Sequence, residues 1–108
     1  MKCLHIQLHP QRCSVDAENH VNRLSEIATD SVLDVIVDVE RGDDDVPYIN
    51  VNIYTDEMVS LWSAVCFEIE SKPSLASATI VCCEGENGWD DYFLLHHFDG
   101  DEAVDTLP

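Results

Sequence analysis

The order of apolar patterns along the chain predicts an α+β domain: a mostly antiparallel sheet of five strands with two helices on one of its faces. Three observations carry this. Three segments, at 2–9, 33–39 and 48–54, alternate apolar and polar residues with a period of two, and two more, at 75–84 and 89–98, are strand-like runs rich in apolar and aromatic residues. Two others, at about 15–28 and 57–71, shift to the 3.6-residue period of a helix. Pro10, Gly42, Pro73 and the Asn87-Gly88 dipeptide punctuate the chain between them.

Residues 2–9 alternate strictly, with Leu4, Ile6 and Leu8 on one side and Cys3, His5, Gln7 and His9 on the other. Pro10 ends this strand. The helix at 15–28 carries Ala17, Val21, Leu24 and Ala28 on one stripe, with His20 and Ile27 beside it. Ser14 or Asp16 suits its N-cap, and Thr29-Asp30 are poor continuers. A hairpin is expected over 31–54. Leu33, Val35, Val37 and Val39 form one face of its first strand, and Asp34, Ile36 and Asp38 the other. Residues 41–45 make the turn, with Gly42 free to take a positive φ. The second strand sets Ile49, Val51 and Ile53 against Tyr48, Asn50, Asn52 and Tyr54, and Pro47 stands at its start.

Thr55 or Asp56 caps the second helix, whose stripe is Met58, Leu61, Trp62, Val65 and Ile69; Phe67 falls off it. Lys72-Pro73 closes that helix. Residues 75–84 form a fourth strand, Asn87-Gly88 supplies hairpin-turn chemistry, and 89–98 return as a fifth strand. The sequence β-α-β-β-α-β plus one further β is that of a ferredoxin-like split βαβ sandwich with an additional C-terminal strand. A right-handed crossover puts the first strand beside the third and the second at an edge. Residues 1–100 form this single acidic domain, and 101–108 are expected to be a flexible acidic tail.

Charge is the outstanding feature. There are 22 Asp and Glu against 5 Lys and Arg, a net of −17. Residues 73–108 hold eight acids and no Lys or Arg. Such a field repels nucleic acid and anionic lipid and draws in basic partners; it also serves solubility. The five cysteines are odd in number, and Met1-Lys2 leads directly into a strand. Free thiols in a reducing cytoplasm are expected, with Cys66 and one of Cys82 and Cys83 buried as small hydrophobes. No apolar run reaches the length of a membrane span.

Motifs for chemistry are sparse. Cys3, His5, His9, Cys13, His96 and His97 are metal-ligand types, but their spacing matches no compact zinc pattern. His5 and His9 lie roughly 13 Å apart on a strand, too far to share an ion. A site assembled across strands, with Cys3 or His5 facing Cys83, is the remaining option. Asp43-Asp44-Asp45 and Asp99-Gly100-Asp101-Glu102 do not fit a calcium loop. No nucleophile elbow, phosphate-binding glycine loop or dinucleotide fingerprint occurs. No enzymatic activity, cofactor or metal is expected.

The sheet side away from the helices should carry Asp34, Asp38, Tyr48, Asn50, Asn52 and Tyr54 as an exposed polar surface with two aromatics. Exposed aromatics on a sheet serve RNA recognition elsewhere, but the charge here has the wrong sign for it. The sharper expectation is the second hairpin, where Glu84, Glu86, Asp90 and Asp91 surround Trp89, an aromatic anchor among carboxylates. Together these suggest a non-enzymatic inhibitor that fills the cationic cleft of a basic protein, a nuclease or toxin. Immunity and antitoxin proteins of bacterial toxin systems use that strategy. The alternatives are a phage-type nucleic-acid mimic directed at a host defence nuclease, and a regulatory or ligand-binding module that forms a homodimer through its open face or an edge strand.

Overall fold

A computed structural model describes residues 2–12, 17–43, 47–71, 78–83, 92–97 and 104–105. Its elements are β1 (Lys2–Leu8), a 3₁₀ turn (Pro10–Arg12), α1 (Ala17–Ser31), β2 (Ile36–Asp43), β3 (Pro47–Thr55), α2 (Met58–Ser71), β4 (Thr79–Cys83) and β5 (Tyr92–His96). The strands form one sheet in the order β2-β3-β1-β4-β5, and every pairing is antiparallel. The fold is therefore α+β with a five-stranded antiparallel sheet. β1 lies beside β3, β2 stands at one edge, and β5 extends the sheet beyond β4.

The core forms where the alternation places it. Leu4, Ile6 and Leu8 of β1, Ile49, Val51 and Ile53 of β3, and Ile80 and Cys82 of β4 share one buried cluster with both helices. Ala17, Val21, Leu24, Ile27 and Ala28 join it from α1, and Met58, Leu61 and Val65 from α2. Both helices thus cover the same sheet face. Truncation of a fully buried member such as Leu61 to Ala removes about 2–5 kcal/mol of stability.

Three boundaries differ from expectation. α1 continues past Thr29-Asp30 to Ser31. The Thr29 hydroxyl donates to the Ser25 carbonyl at 2.9 Å, and Val32 N–H to the Ala28 carbonyl at 3.3 Å. Burial of Ile27, Ala28 and Val32 holds this last turn against weak local propensity. The strand that follows starts only at Ile36. Leu33, expected on the apolar face, is 94% exposed, and Asp34 sits in a bend rather than on the sheet. The Leu33 N–H donates to the Glu57 carboxylate before α2, which holds the chain in that bend.

The third difference is at the hairpin end. β2 runs through the expected turn to Asp43, and Gly42 pairs with Tyr48. Gly42 serves the approach of that ring, not a positive φ: a Cβ built there would fall on the Tyr48 ring. Residues 44–46 lie outside the described residues, as do the helix caps Ser14 and Asp16. On α2, Trp62 and Ile69 are partly buried beside the core, Phe67 is 70% exposed, and Glu68 is unexpectedly buried. Cys66, expected in the core, is half-buried on the side of α2 that carries Trp62 and Phe67. Of the expected tail, residues 104–105 are described. Asp105 N–H donates to the Leu94 carbonyl at 2.6 Å, and Leu94 N–H to the Asp105 carboxylate at 2.9 Å.

Candidate functional site

The sheet face opposite the helices is built in rows, because directly paired residues of antiparallel strands point the same way. The first row runs Ile36, Tyr54, Cys3, Cys83. The second is Asp38, Asn52, His5, Val81, and the third is Glu40, Asn50, Gln7, Thr79. Gly42 and Tyr48 follow at the hairpin end. The structure thus brings Asp38, Tyr48, Asn50, Asn52 and Tyr54 onto one surface and leaves Asp34 outside it. Glu84, Glu86, Trp89, Asp90 and Asp91 lie outside the described residues. Glu40 belongs to this face by the same alternation as Asp38 and joins the acids expected there.

The face is less open than its polarity implies. Asn52 was expected at the surface but is 4% exposed. Its Oδ1 lies 2.6 Å from His5 Nδ1, and its Nδ2 donates to Glu40 Oε1 at 3.3 Å. A carboxylate only accepts, so the amide nitrogen must face Glu40 and the amide oxygen His5. His5 Nδ1 therefore carries a hydrogen. Beside it, the buried Asn50 Oδ1 has no hydrogen-bond partner among the described residues. Among the described residues of this face, the exposed acids are Asp38 and Glu40 on β2, at the sheet edge.

Two thiols share the first row. Burial raises the Cys3 thiol above its ordinary range, against the lowering pull of hydrogen bonds with Tyr54 and the Ile53 backbone. Cys83 is pushed up to about 11, first by burial and then by Cys3. The Tyr54 phenol is also raised, chiefly by Cys3, then by desolvation and the acids Asp38 and Glu40. At neutral pH these groups are protonated, and none is an activated nucleophile. Among the described residues, no cluster of three or more His, Cys, Asp or Glu is placed to hold a metal ion.

Two further features flank the sheet. A hollow of about 420 Å³ lies at the hairpin end between Pro10, Pro47, Tyr48 and Arg41. Arg41 donates to both carboxylate oxygens of Glu18, which neutralises the cation that an anionic ligand would need. A smaller hollow of about 230 Å³ lies between the helices at Glu68 and Phe67. Glu68 is 5% exposed and sits 3.4 Å from Arg23 Nε, yet its Oε1 has no hydrogen-bond partner among the described residues. The ion pair is thus a charge contact without hydrogen-bond geometry.

Among the described residues no helix is long and apolar enough to cross a membrane. No family model, no curated protein and no solved structure matches the chain.

Proposed function

We propose that this chain is a small acidic binding protein that neutralises a basic protein, in the manner of immunity and antitoxin proteins that inhibit nuclease toxins in the cytoplasm. One observation carries the reading: a net charge of −17 on a 108-residue chain, with the exposed carboxylates Asp38 and Glu40 at the edge of the sheet face opposite the helices. The frame supports it. We read β1 to β4 with the two helices as a ferredoxin-like unit extended by β5, an arrangement that leaves one sheet face for a partner. Asp38 and Glu40 on the edge strand supply charge, and the half-buried Tyr48 and Tyr54 supply rigid aromatic area. The hairpin acids Glu84, Glu86, Asp90 and Asp91 with Trp89 form the second contact of this reading.

The test is calorimetric and kinetic titration against a panel of basic nucleases at low and high salt. Binding that weakens steeply with salt supports the reading, as does an association rate cut by Asp38→Lys with Glu40→Lys. Comparison with Trp89→Ala, Asp90→Ala, Asp91→Ala separates the face from the hairpin. Absence of binding to every basic protein at low salt would overturn it.

A further inference from the structure

We propose that Cys3 and Cys83 form a cross-strand dithiol that closes reversibly to a disulfide by exchange with low-molecular-weight disulfides, cationic ones in preference to anionic ones. The register carries the pairing. Cys3 and Cys83 are direct partners across the antiparallel β1–β4 ladder. Directly opposed residues in such ladders have Cα atoms about 4.5 or 5.5 Å apart, and both spacings fall within the range that a disulfide bridges. The other described cysteines are placed elsewhere. Cys82 pairs with Leu4 in the core beneath the sheet, and Cys66 sits on α2 beside Trp62 and Phe67.

Burial assigns the two sulfurs different roles. Cys83 is half-buried and can be reached from solvent, whereas Cys3 is 8% exposed. Cys83 Sγ loses its proton and attacks one sulfur of the small disulfide. The S–S bond breaks, and the first small thiolate leaves and takes up a proton. Cys3 Sγ then loses its proton and attacks Cys83 Sγ, and the second small thiol leaves protonated. Two protein thiols are oxidised by two electrons, and one small disulfide is reduced to two thiols. The second step needs no access from solvent, since Cys3 already faces the mixed disulfide across the ladder.

The surroundings set rate and selectivity. Burial and Cys3 raise the Cys83 thiol, so its thiolate fraction at neutral pH is small, bulk oxidation is slow and pairing depends on proximity. The net charge of −17 concentrates a dication at the surface and repels an anion. Closure joins β1 to β4 across the row that contains Tyr54.

The experiment incubates the full chain with cystamine or with oxidised glutathione, at low and high salt. Free thiols are then blocked and peptides mapped without reduction. The expected product is a Cys3 peptide linked to the Cys83 peptide, reversed by dithiothreitol. It should form at least tenfold faster with cystamine at low salt, and the gap should close at high salt. Cys3→Ser should instead accumulate a small-molecule adduct on Cys83, and Cys83→Ser should leave Cys3 unmodified in the folded protein, with fold checked by circular dichroism. A persistent adduct on Cys83 of the unaltered chain, or linkage through Cys13, Cys66 or Cys82, would overturn the proposal. Should either variant fail to fold, the map of the unaltered chain decides alone. Equal rates with the two reagents would refute the cationic preference.

Discussion

Asn52 is the residue where alternation and tertiary structure disagree most, so its replacement is the most informative. Asn52→Ala deletes the contact with His5 Nδ1 at 2.6 Å and the bond to Glu40 at 3.3 Å, from a side chain with 4% exposure. Each such bond contributes about 1 kcal/mol net, and the longer one less because exposed Glu40 regains water. With the small void that the amide leaves, the loss is about 2 kcal/mol. That corresponds to roughly 10 °C in thermal midpoint, or about 1 M in urea midpoint. Asn52→Asp should cost more at neutral pH. It sets a buried carboxylate against Glu40, and two like charges about 4 Å apart at an effective dielectric between water and protein surface repel by roughly 1–4 kcal/mol. Repulsion and burial raise the new carboxyl in the folded state. Its penalty is therefore absent below the unfolded carboxyl range, grows as pH rises, and is complete above the folded value. The assay is urea unfolding of both variants at neutral pH and at about pH 4, near the ordinary Asp value. If Asn52→Asp matched the parent protein at neutral pH, Asn52 would be solvated, and the network with His5 and Glu40 would be refuted.

Other replacements test other elements. Gly42→Ala forces the Tyr48 ring aside and should cost about 1–2 kcal/mol by urea unfolding; in the Tyr48→Ala background that cost should vanish, since the obstacle is the tip of one side chain. Glu68→Met should leave stability unchanged or raise it by about 1 kcal/mol in thermal melts, because a poorly hydrogen-bonded buried carboxylate is replaced by an apolar chain of similar reach. Arg23→Ala should instead destabilise, since it leaves that carboxylate buried without its countercharge. Cys83, raised from an ordinary 9.0 to about 11, contributes stability that is fully present below pH 9 and is lost as pH rises through 11. The urea midpoint should fall across that window, and fall less in Cys83→Ser.

Local pattern was sufficient for most of the frame. The period-two alternation in β1 and β3 places Leu4, Ile6, Leu8, Ile49, Val51 and Ile53 in the core, because a pleated strand can bury only one set of alternate side chains against a helix layer. Likewise the 3.6-residue stripe of α2 identifies Met58, Leu61 and Val65. The same alternation placed Asp38, Tyr48 and Tyr54 on the opposite face. Errors arose where a neighbour distant in sequence intervened. Glu57 holds Leu33 and Asp34 in a bend, so a run of apolar letters there is not strand. Gly42 resembles a turn glycine, but its need is set by a ring on the adjacent strand.

What the sequence alone determined was the class of fold, the composition of the core and the sign of the surface charge, since each depends on local periodicity or on simple counting. Only the tertiary structure decided which polar residues are buried. Asn52 and Cys3 lie on the interior strands β3 and β1 and are buried, whereas Asp38 and Glu40 on the edge strand β2 are exposed. The order of strands in the sheet also set Cys83 opposite Cys3, and the packing of α1 against α2 set Glu68 beside Arg23. Such encounters join residues dozens of positions apart, and no local pattern records them because they exist only once the chain has packed.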